Sequence, residues 1–518
     1  MATLRHFLFP LLELKGWRGV LLLLGMGGLS ALTFPPLYFL PILALTFPCL
    51  LYRVDRAASK KSAFAEGYWF GFGLHTVGLS WLVNAILIRA NDFWWLVPIV
   101  SPLCAMLLGI WTGAATLLYA YIRPKTWRRI PVFAGLWTIC DMTRAILLPS
   151  SWWNPILTGF PWNPLGSSWE WPGKLGDIWI QLAAVIGVDG LTFLTLLIVL
   201  TPILGKKFII PSGILLMGWA IFGLIRLGPN PMADPKTPIV VIEQGNIAED
   251  EKIANNNPFM IFQTYLRLTG EGIQKAYQLR EKQHEPNRPI VFAWPESAFP
   301  GDLASDELAR KLLMQQASKA TAGMIGAITW NAQKQIFNSV AILSPPDGQI
   351  VAKYNKSKLV PFGESQPALI PFHVVPGEAL TPGEKVETFH IPDLTAFGAL
   401  ICYEVIFSGQ IVDSRDRPKW LLNITNDAWY GDSAGPRQHL AAVRLRAVEE
   451  GIPIVRVANT GISAVYDSYG REQMRIGWNQ QKVEAVSLSG PLSPTIFSYG
   501  GRWIPLLLSI LCVLLTMI

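Results

Sequence analysis

Charge is scarce in this chain. Of 518 residues only 15% are Asp, Glu, Lys or Arg, against about 25% in an ordinary soluble domain. Half the chain (51%) is hydrophobic and 21 residues are Trp; mean hydropathy is +0.34. That balance excludes a disordered or a purely soluble protein. The chain also lacks a disulfide framework. Cys49, Cys104, Cys140 and Cys512 lie in apolar runs, where cysteine is a small core hydrophobe. Cys402 stands alone in the polar half, without a partner. No Cys/His cluster has metal-ligand spacing, so neither a metal nor another cofactor is expected. A solitary Cys in a domain outside the cytoplasm is a liability unless it does chemistry.

The polar half also lacks a basic surplus. Residues 1–228 hold 17 Lys+Arg and 8 Asp+Glu; residues 229–518 hold 26 and 28. The whole excess of +7 therefore sits in the apolar half. Nucleic acid is not an expected partner, and the basic residues read as membrane-topology signals. At about 150 residues per domain, the length suggests about three units, or fewer with a membrane bundle.

A spanning helix needs about 20 mostly apolar residues. Such runs occur at 16–33, 36–52, 64–88, 94–122, 130–148, 178–204, 207–227 and 503–518. The first has no small-residue cleavage site after it and reads as a retained helix. Alternate loops carry Arg5, Lys15 and Arg18; Arg53, Arg56, Lys60 and Lys61; Arg123, Lys125, Arg128 and Arg129; and Lys206 and Lys207. These belong on the cytoplasmic side. The intervening loops have Arg89 with Asp92, and Lys174 with Glu170 and Asp177. Both termini are then expected inside and residues 228–502 outside. The outer loop 149–176, with Trp152-Trp153-Asn154-Pro155 and Pro161-Trp162-Asn163-Pro164, reads as an interfacial aromatic belt or a lipid guide. Glu66, His75, Asn84 and Asp141 stand isolated in the spans, with Glu66, Asn84 and Asp141 expected near helix ends and His75 in the core.

The linker Gly228-Pro229-Asn230-Pro231-Met232-Ala233-Asp234-Pro235 opens a second domain. Strands are expected at 239–243, 289–293, 323–329, 338–343, 350–354, 396–402, 420–425 and 454–458, and helices at 259–279, 306–320 and 438–450. This alternation implies an α/β sheet flanked by helices, with chemistry at the carboxyl ends of strands. Three strands end suggestively. Val291-Phe292-Ala293-Trp294-Pro295-Glu296 puts a carboxylate after an apolar strand, where partial burial favours a general base. Tyr354-Asn355-Lys356, followed by Glu364, puts an ammonium where it can stabilise an oxyanion, or else a surface ion pair. Leu400-Ile401-Cys402 puts a thiol at a turn into a helix, where backbone N–H groups favour a thiolate, or else an inert buried Cys.

As an ordered set, Glu296, Lys356 and Cys402 are specific. With them stand Gln244-Gly245-Asn246-Ile247, Trp294-Pro295-Glu296-Ser297, Leu359-Val360-Pro361-Phe362-Gly363-Glu364, Cys402-Tyr403-Glu404, Asn426-Asp427-Ala428-Trp429, Gly435-Pro436-Arg437-Gln438-His439, Arg446-Ala447-Val448-Glu449 and Asn459-Thr460-Gly461-Ile462-Ser463. Together they resemble the Glu-Lys-Cys triad of the nitrilase superfamily, carried on an αββα sandwich. With seven spans before and one after, essentially the whole chain resembles the apolipoprotein N-acyltransferase family. One departure stands out. A Trp that the family often carries a few residues after Gln-Gly-Asn-Ile is missing from Ala248-Glu249-Asp250-Glu251-Lys252-Ile253.

The resemblance implies a membrane bundle of about eight helices (1–228, and 502–518 as the last span) carrying a nitrilase-like α/β domain (229–501) on the periplasmic side of a bacterial inner membrane. It implies acyl transfer from a phospholipid, with phosphatidylethanolamine as donor, to the α-amine of diacylglyceryl apolipoproteins, by a monomer. Glu296 is the implied base, Cys402 the nucleophile and Lys356 the oxyanion stabiliser. Glu364 is expected to hydrogen-bond Lys356, Tyr403 and Glu404 to shape the pocket, Trp429 to face substrate, and Trp294 to bind or pack beside Glu296. Loops 361–384 and 430–436 are candidate lids. The alternative readings are a membrane-anchored amidohydrolase with the same triad and a transporter or channel with a large outer binding domain, which would need polar or charged residues paired across spans, or interrupted repeats.

Overall fold

The computed structural model describes residues 11–88, 90–146, 159–249, 257–365 and 379–516. Arg5, Arg89, Trp152-Trp153-Asn154-Pro155, Ile253 and the middle of the 361–384 loop lie outside the described residues. The chain forms two compact units: one holds the chain up to Leu227 and again from Gly500, the other is Gly228–Tyr499.

The first unit contains α1 (Gly16–Ser30), α2 (Leu43–Asp55), α3 (Lys60–Gly78), α4 (Val100–Ile122), α5 (Arg129–Thr143), α6 (Gly173–Ile180), α7 (Ala183–Leu200) and α8 (Ile209–Arg226), with a further helix at Trp503–Leu515. Among the described residues, four helical segments are long and apolar enough to cross a membrane: Gly16–Thr33, Val100–Ile122, Ala183–Leu204 and Ile209–Arg226. The other expected spans hold helices of 13 to 19 residues: α2, α3, α5 and Trp503–Leu515. Lys60, Lys61, Glu66 and His75 dilute the hydropathy of α3. Run 178–204 is divided as well, because Gly187 adopts φ 64, which ends one helical turn before the next begins.

Small residues set the packing. Gly67 and Gly71 of α3 meet Thr112 and Thr116 of α4 so closely that a Cβ at either glycine would overlap a threonine. The Thr112 hydroxyl donates to the Gly67 carbonyl at 2.9 Å. Close backbone approach of this kind replaces the hydrophobic drive that lipid cannot supply.

The ionisable residues are not isolated, contrary to the sequence expectation. Glu66 lies inside α3 rather than near its end and takes a bidentate contact from Arg53 of α2, at 2.5 and 2.9 Å. Asp141 does lie near the end of α5 and pairs with Arg144 at 2.7 Å. Arg502 pairs with Asp189 of α7 at 2.9 Å. Asn84 donates to the Trp81 carbonyl at 3.2 Å, and His75 is buried in α3.

The second unit has, among its described residues, two six-stranded sheets, ordered β12-β1-β2-β3-β4-β5 and β11-β10-β9-β8-β7-β6. The strands are β1 (Ile239–Gln244), β2 (Ile290–Ala293), β3 (Ala322–Trp330), β4 (Ile336–Ser344), β5 (Gln349–Asn355), β6 (Thr388–Phe389), β7 (Phe397–Ile401), β8 (Trp420–Thr425), β9 (Ile454–Ala458), β10 (Ser463–Tyr466), β11 (Glu472–Ile476) and β12 (Lys482–Ser487). β1–β2–β3 and β7–β8–β9 are parallel; the other pairings are antiparallel. The sheets meet through β1 against β9 and β4 against β7, while α9 (Pro258–Lys282) covers the first sheet and α11 (Ala434–Glu450) packs on β9 of the second. Residues of β1, β2, β7, β8 and β9 are all buried, which explains their continuous apolar runs. Asn257 caps α9, accepting from the Met260 N–H at 3.2 Å ahead of Pro258. Asp306 caps α10 (Glu307–Gln316) through the Ala309 N–H at 2.9 Å.

Candidate active site

The three sequence candidates come together. Glu296 follows β2, Lys356 follows β5 and Cys402 follows β7. The sandwich brings β2 and β5, from one sheet, to the same end as β7 from the other. Lys356 Nζ lies 3.2 Å from Glu296 Oε1 and 2.8 Å from Glu364 Oε1, the contact expected for Glu364. The amine is only 1% exposed. Burial alone would lower its pKa, but Glu296, and after it Glu364, more than offset this and hold it above the ordinary lysine range. Lys356 is therefore a fixed cation.

Cys402 opens the short helix Cys402–Ile406 with φ 49, a backbone conformation that costs about 1–2 kcal/mol in a non-glycine residue. It is 5% exposed. Burial, and then the Glu296 charge, push the thiol pKa up; Lys356 counteracts this only in part. The resting sulfur is a thiol, and a base must take its proton.

Glu296 is held by two donors besides Lys356. Its Oε1 accepts from Asn338 Nδ2 at 2.7 Å and its Oε2 from the Asn426 N–H at 2.8 Å. Asn338 Nδ2 also reaches Glu364 Oε1 at 3.1 Å, so one amide spaces the two carboxylates. Glu404 is no second base. Its Oε1 accepts from Tyr354 Oη, Ser357 N, Ser357 Oγ and Lys358 N at 2.6 to 3.2 Å, and its Oε2 accepts from Ile401 N at 2.8 Å. It ties the segment carrying Lys356 to the strand end carrying Cys402. Tyr403 is buried against Phe407, with ring centroids 5.3 Å apart. Trp294 is fully buried, stacked on Tyr265 at 4.8 Å, and donates to Thr269 Oγ1 at 3.0 Å. It is part of the buried core of the first sheet's cluster, two residues before Glu296. Trp429 is half-buried in the turn Asp427–Tyr430.

Sequence reasoning assigned no role to a second layer. His439 Nε2 lies 3.0 Å from the Cys402 carbonyl oxygen. A carbonyl only accepts, so Nε2 carries the hydrogen. Arg456 donates to Asp427 Oδ2 at 2.6 Å and to Asn423 Oδ1 at 2.7 Å. Although burial opposes it, Arg456 helps hold the Asp427 carboxyl down at about 2. Asn459 binds the Ile247 backbone through both N–H and C=O, at 3.0 and 2.7 Å, and reaches Asn426 Oδ1 at 3.2 Å. The signal was available: Asn338, Asn423, Thr425 and Arg456 are polar residues inside otherwise apolar strands.

Comparison with known proteins agrees with this architecture. Residues 287–489 match the carbon-nitrogen hydrolase model, and residues 26–201 match the apolipoprotein N-acyltransferase N-terminal domain. Curated apolipoprotein N-acyltransferases are similar at full length. That of Rhodopseudomonas palustris is 32% identical over 94% of this chain and 92% of its own. That of Rickettsia prowazekii is 30% identical over 96% and 97%. Among solved structures, an amidase from Nesterenkonia sp. aligns with 51% of this chain and 93% of its own, at 17% identity and TM-score 0.36. By its full-length similarity to these enzymes, the chain belongs to the apolipoprotein N-acyltransferase family.

Proposed function

We propose that this chain N-acylates apolipoproteins, moving an acyl chain from a membrane phospholipid to the α-amine of a diacylglyceryl-modified N-terminal cysteine. The observation that carries this reading is the buried Glu296–Lys356–Cys402 cluster in a chain of this family that also holds long apolar helices. Glu296 takes the Cys402 proton as the sulfur attacks an ester carbonyl, and Lys356 stabilises the tetrahedral oxyanion. As the ester C–O bond breaks, Glu296 returns that proton to the leaving oxygen, the lysophospholipid departs and Cys402 holds the acyl group as a thioester. The acceptor amine then attacks, Glu296 takes its proton, the C–S bond breaks with its electron pair returning to sulfur, Glu296 passes the proton to that sulfur and the amide product departs. Glu364 keeps Lys356 in place, Glu404 fixes the Lys356 segment against Cys402, Tyr403 walls the pocket and Trp429 faces substrate.

Both substrates are anchored in lipid, which gives a reason for an acyl-transfer domain to share a chain with long apolar helices. The proposal includes eight spans, seven before the domain of residues 229–501 and one at 502–518. It places both termini in the cytoplasm and the domain on the periplasmic side of the inner membrane. The donor is phosphatidylethanolamine and the enzyme acts as a monomer. Support for the orientation is the basic loops at 53–61, 123–129 and 206–207.

Mass spectrometry of the purified protein, incubated with phosphatidylethanolamine and no acceptor, is expected to find an acyl group on Cys402 that moves to an added lipopeptide amine. The Cys402→Ala protein should fold and carry no adduct. Transfer by Cys402→Ala, or hydrolysis without transfer by the unaltered chain, would overturn the proposal.

A further inference from the structure

Asn338 interrupts the apolar run of β4 and is 3% exposed. It serves the site twice. Its carbonyl accepts from the Lys356 N–H at 2.9 Å, which fixes the backbone that carries the cation. Its side-chain Nδ2 donates to Glu296 Oε1 at 2.7 Å and to Glu364 Oε1 at 3.1 Å. Those same two oxygens also take Lys356 Nζ, at 3.2 and 2.8 Å. Two donors and two carboxylate oxygens thus alternate around a closed ring.

The other end of the amide is orphaned. Asn338 Oδ1 is buried and meets no donor among the described residues. A buried acceptor without a partner costs free energy. Turning the amide over would not relieve it, because Oδ1 would then face two carboxylate oxygens. The orphaned oxygen accompanies the orientation in which Nδ2 reaches both carboxylates.

Two carboxylates beside one ammonium repel each other, and in such a site one of them ordinarily takes up a proton. A protonated Glu296 could not receive the Cys402 proton. The two N–H groups of Nδ2, one to each carboxylate, offset that repulsion. Of the other ionisable groups around Glu296, Glu249 lies on the Asn426 side chain at 2.5 Å and adds negative charge. Asp427 is already matched by Arg456 at 2.6 Å and His439 at 3.0 Å. Cys402 and Tyr430 bring no positive charge.

We infer that Asn338 is a positioning residue for the base: its amide lets Glu296 and Glu364 both stay ionised beside one lysine, so that Glu296 can take the Cys402 proton at neutral pH. The role of Glu296 as base belongs to the acyl-transfer reading above, and the inference rests on it; the ring of hydrogen bonds does not.

The test is the pH dependence of Cys402 alkylation by iodoacetamide in the full-length protein, from about pH 5 to pH 9, which needs no lipid. The rate should rise as Glu296 ionises, and that rising limb should vanish in Glu296→Gln. In Asn338→Leu, close in size, the limb is expected about one pH unit higher, about tenfold slower at a given acidic pH, and merging with the parent at alkaline pH. Asn338→Ala, which adds no volume, should show the same displacement. Glu364→Gln added to Asn338→Leu removes the second charge and should return the rate to within about threefold of the parent. Recovery at alkaline pH shows that the variants are folded. A rate lowered equally at every pH, an unmoved limb, a limb that survives Glu296→Gln, or a displacement that Glu364→Gln leaves in place would each overturn the inference. If the limb moves as described but the parent forms no acyl adduct with phosphatidylethanolamine, the acyl-transfer reading fails and the role of Asn338 stands.

Discussion

The two units handle most buried charge alike and part at the cluster of Glu296, Lys356 and Glu364. In the helical unit, Arg53 is matched with Glu66, Arg144 with Asp141 and Arg502 with Asp189, one cation to one carboxylate. Each pair joins segments of the chain or caps a helix end, and each is electrically complete. Most of the α/β unit does the same, with Arg456 on Asp427 and Arg446 on Glu449. The triad breaks the pattern. There Lys356 is shared by Glu296 and Glu364, leaving one negative charge in excess. Taking a proton from Cys402 would neutralise that excess. A balanced pair holds structure; an unbalanced trio can do acid–base work.

Three substitutions sharpen the contrast. Glu296→Gln keeps a side chain able to accept from the Asn426 N–H but removes the charge. Acyl-enzyme formation should fall about 10²–10⁴-fold with little change in melting temperature. A variant within tenfold of the parent would mean that the unbalanced trio is not what drives proton removal.

Asp427→Asn strands the buried Arg456 guanidinium and should cost about 3–5 kcal/mol of stability, read by denaturant unfolding. Its pH dependence has a defined sign. The folded carboxyl is held at about 2 against an ordinary 3.8. Its stabilisation is therefore present above about pH 4 and is lost as pH falls through about 2. The variant should lack that acid-dependent loss.

The smallest effect is expected from Glu66→Gln. The Arg53 side chain is buried and that of Glu66 nearly so, at 8% and 15%, but the amide still accepts from Arg53, which also donates to the Leu12 and Leu14 carbonyls. A loss of about 1–2 kcal/mol, seen as a lower melting temperature in detergent, is expected with acyl transfer retained. Loss of transfer without loss of stability would show that the helical unit's charges are not merely structural.

The triad was legible because each member follows an expected strand, an apolar buried run before Glu296 and Cys402 and a mixed one before Lys356, and strand ends in α/β sheets collect chemistry. What escaped was pairing across distance. Arg502 and Asp189 are 313 residues apart, and Asn426 meets Glu296 across 130. No local pattern announces either contact. The antiparallel additions β10, β11 and β12 were also missed. β11 reads Glu-Gln-Met-Arg-Ile and is mostly exposed, so it lacks the buried run that betrays β7 or β8. In the helical unit, apolar length overstated helix length, because breaks such as Gly187 are made by backbone angle rather than by polarity.

Glu404 has a consequence for how substrates must move. Five hydrogen bonds from Tyr354, Ser357, Lys358 and Ile401 converge on its two oxygens, so the segments carrying Lys356 and Cys402 are tied into one block. Under the proposed acyl transfer, both lipid guests would have to be brought to that single fixed point. The adaptation to each guest would then fall to the walls of the site, with the block as a stationary anvil.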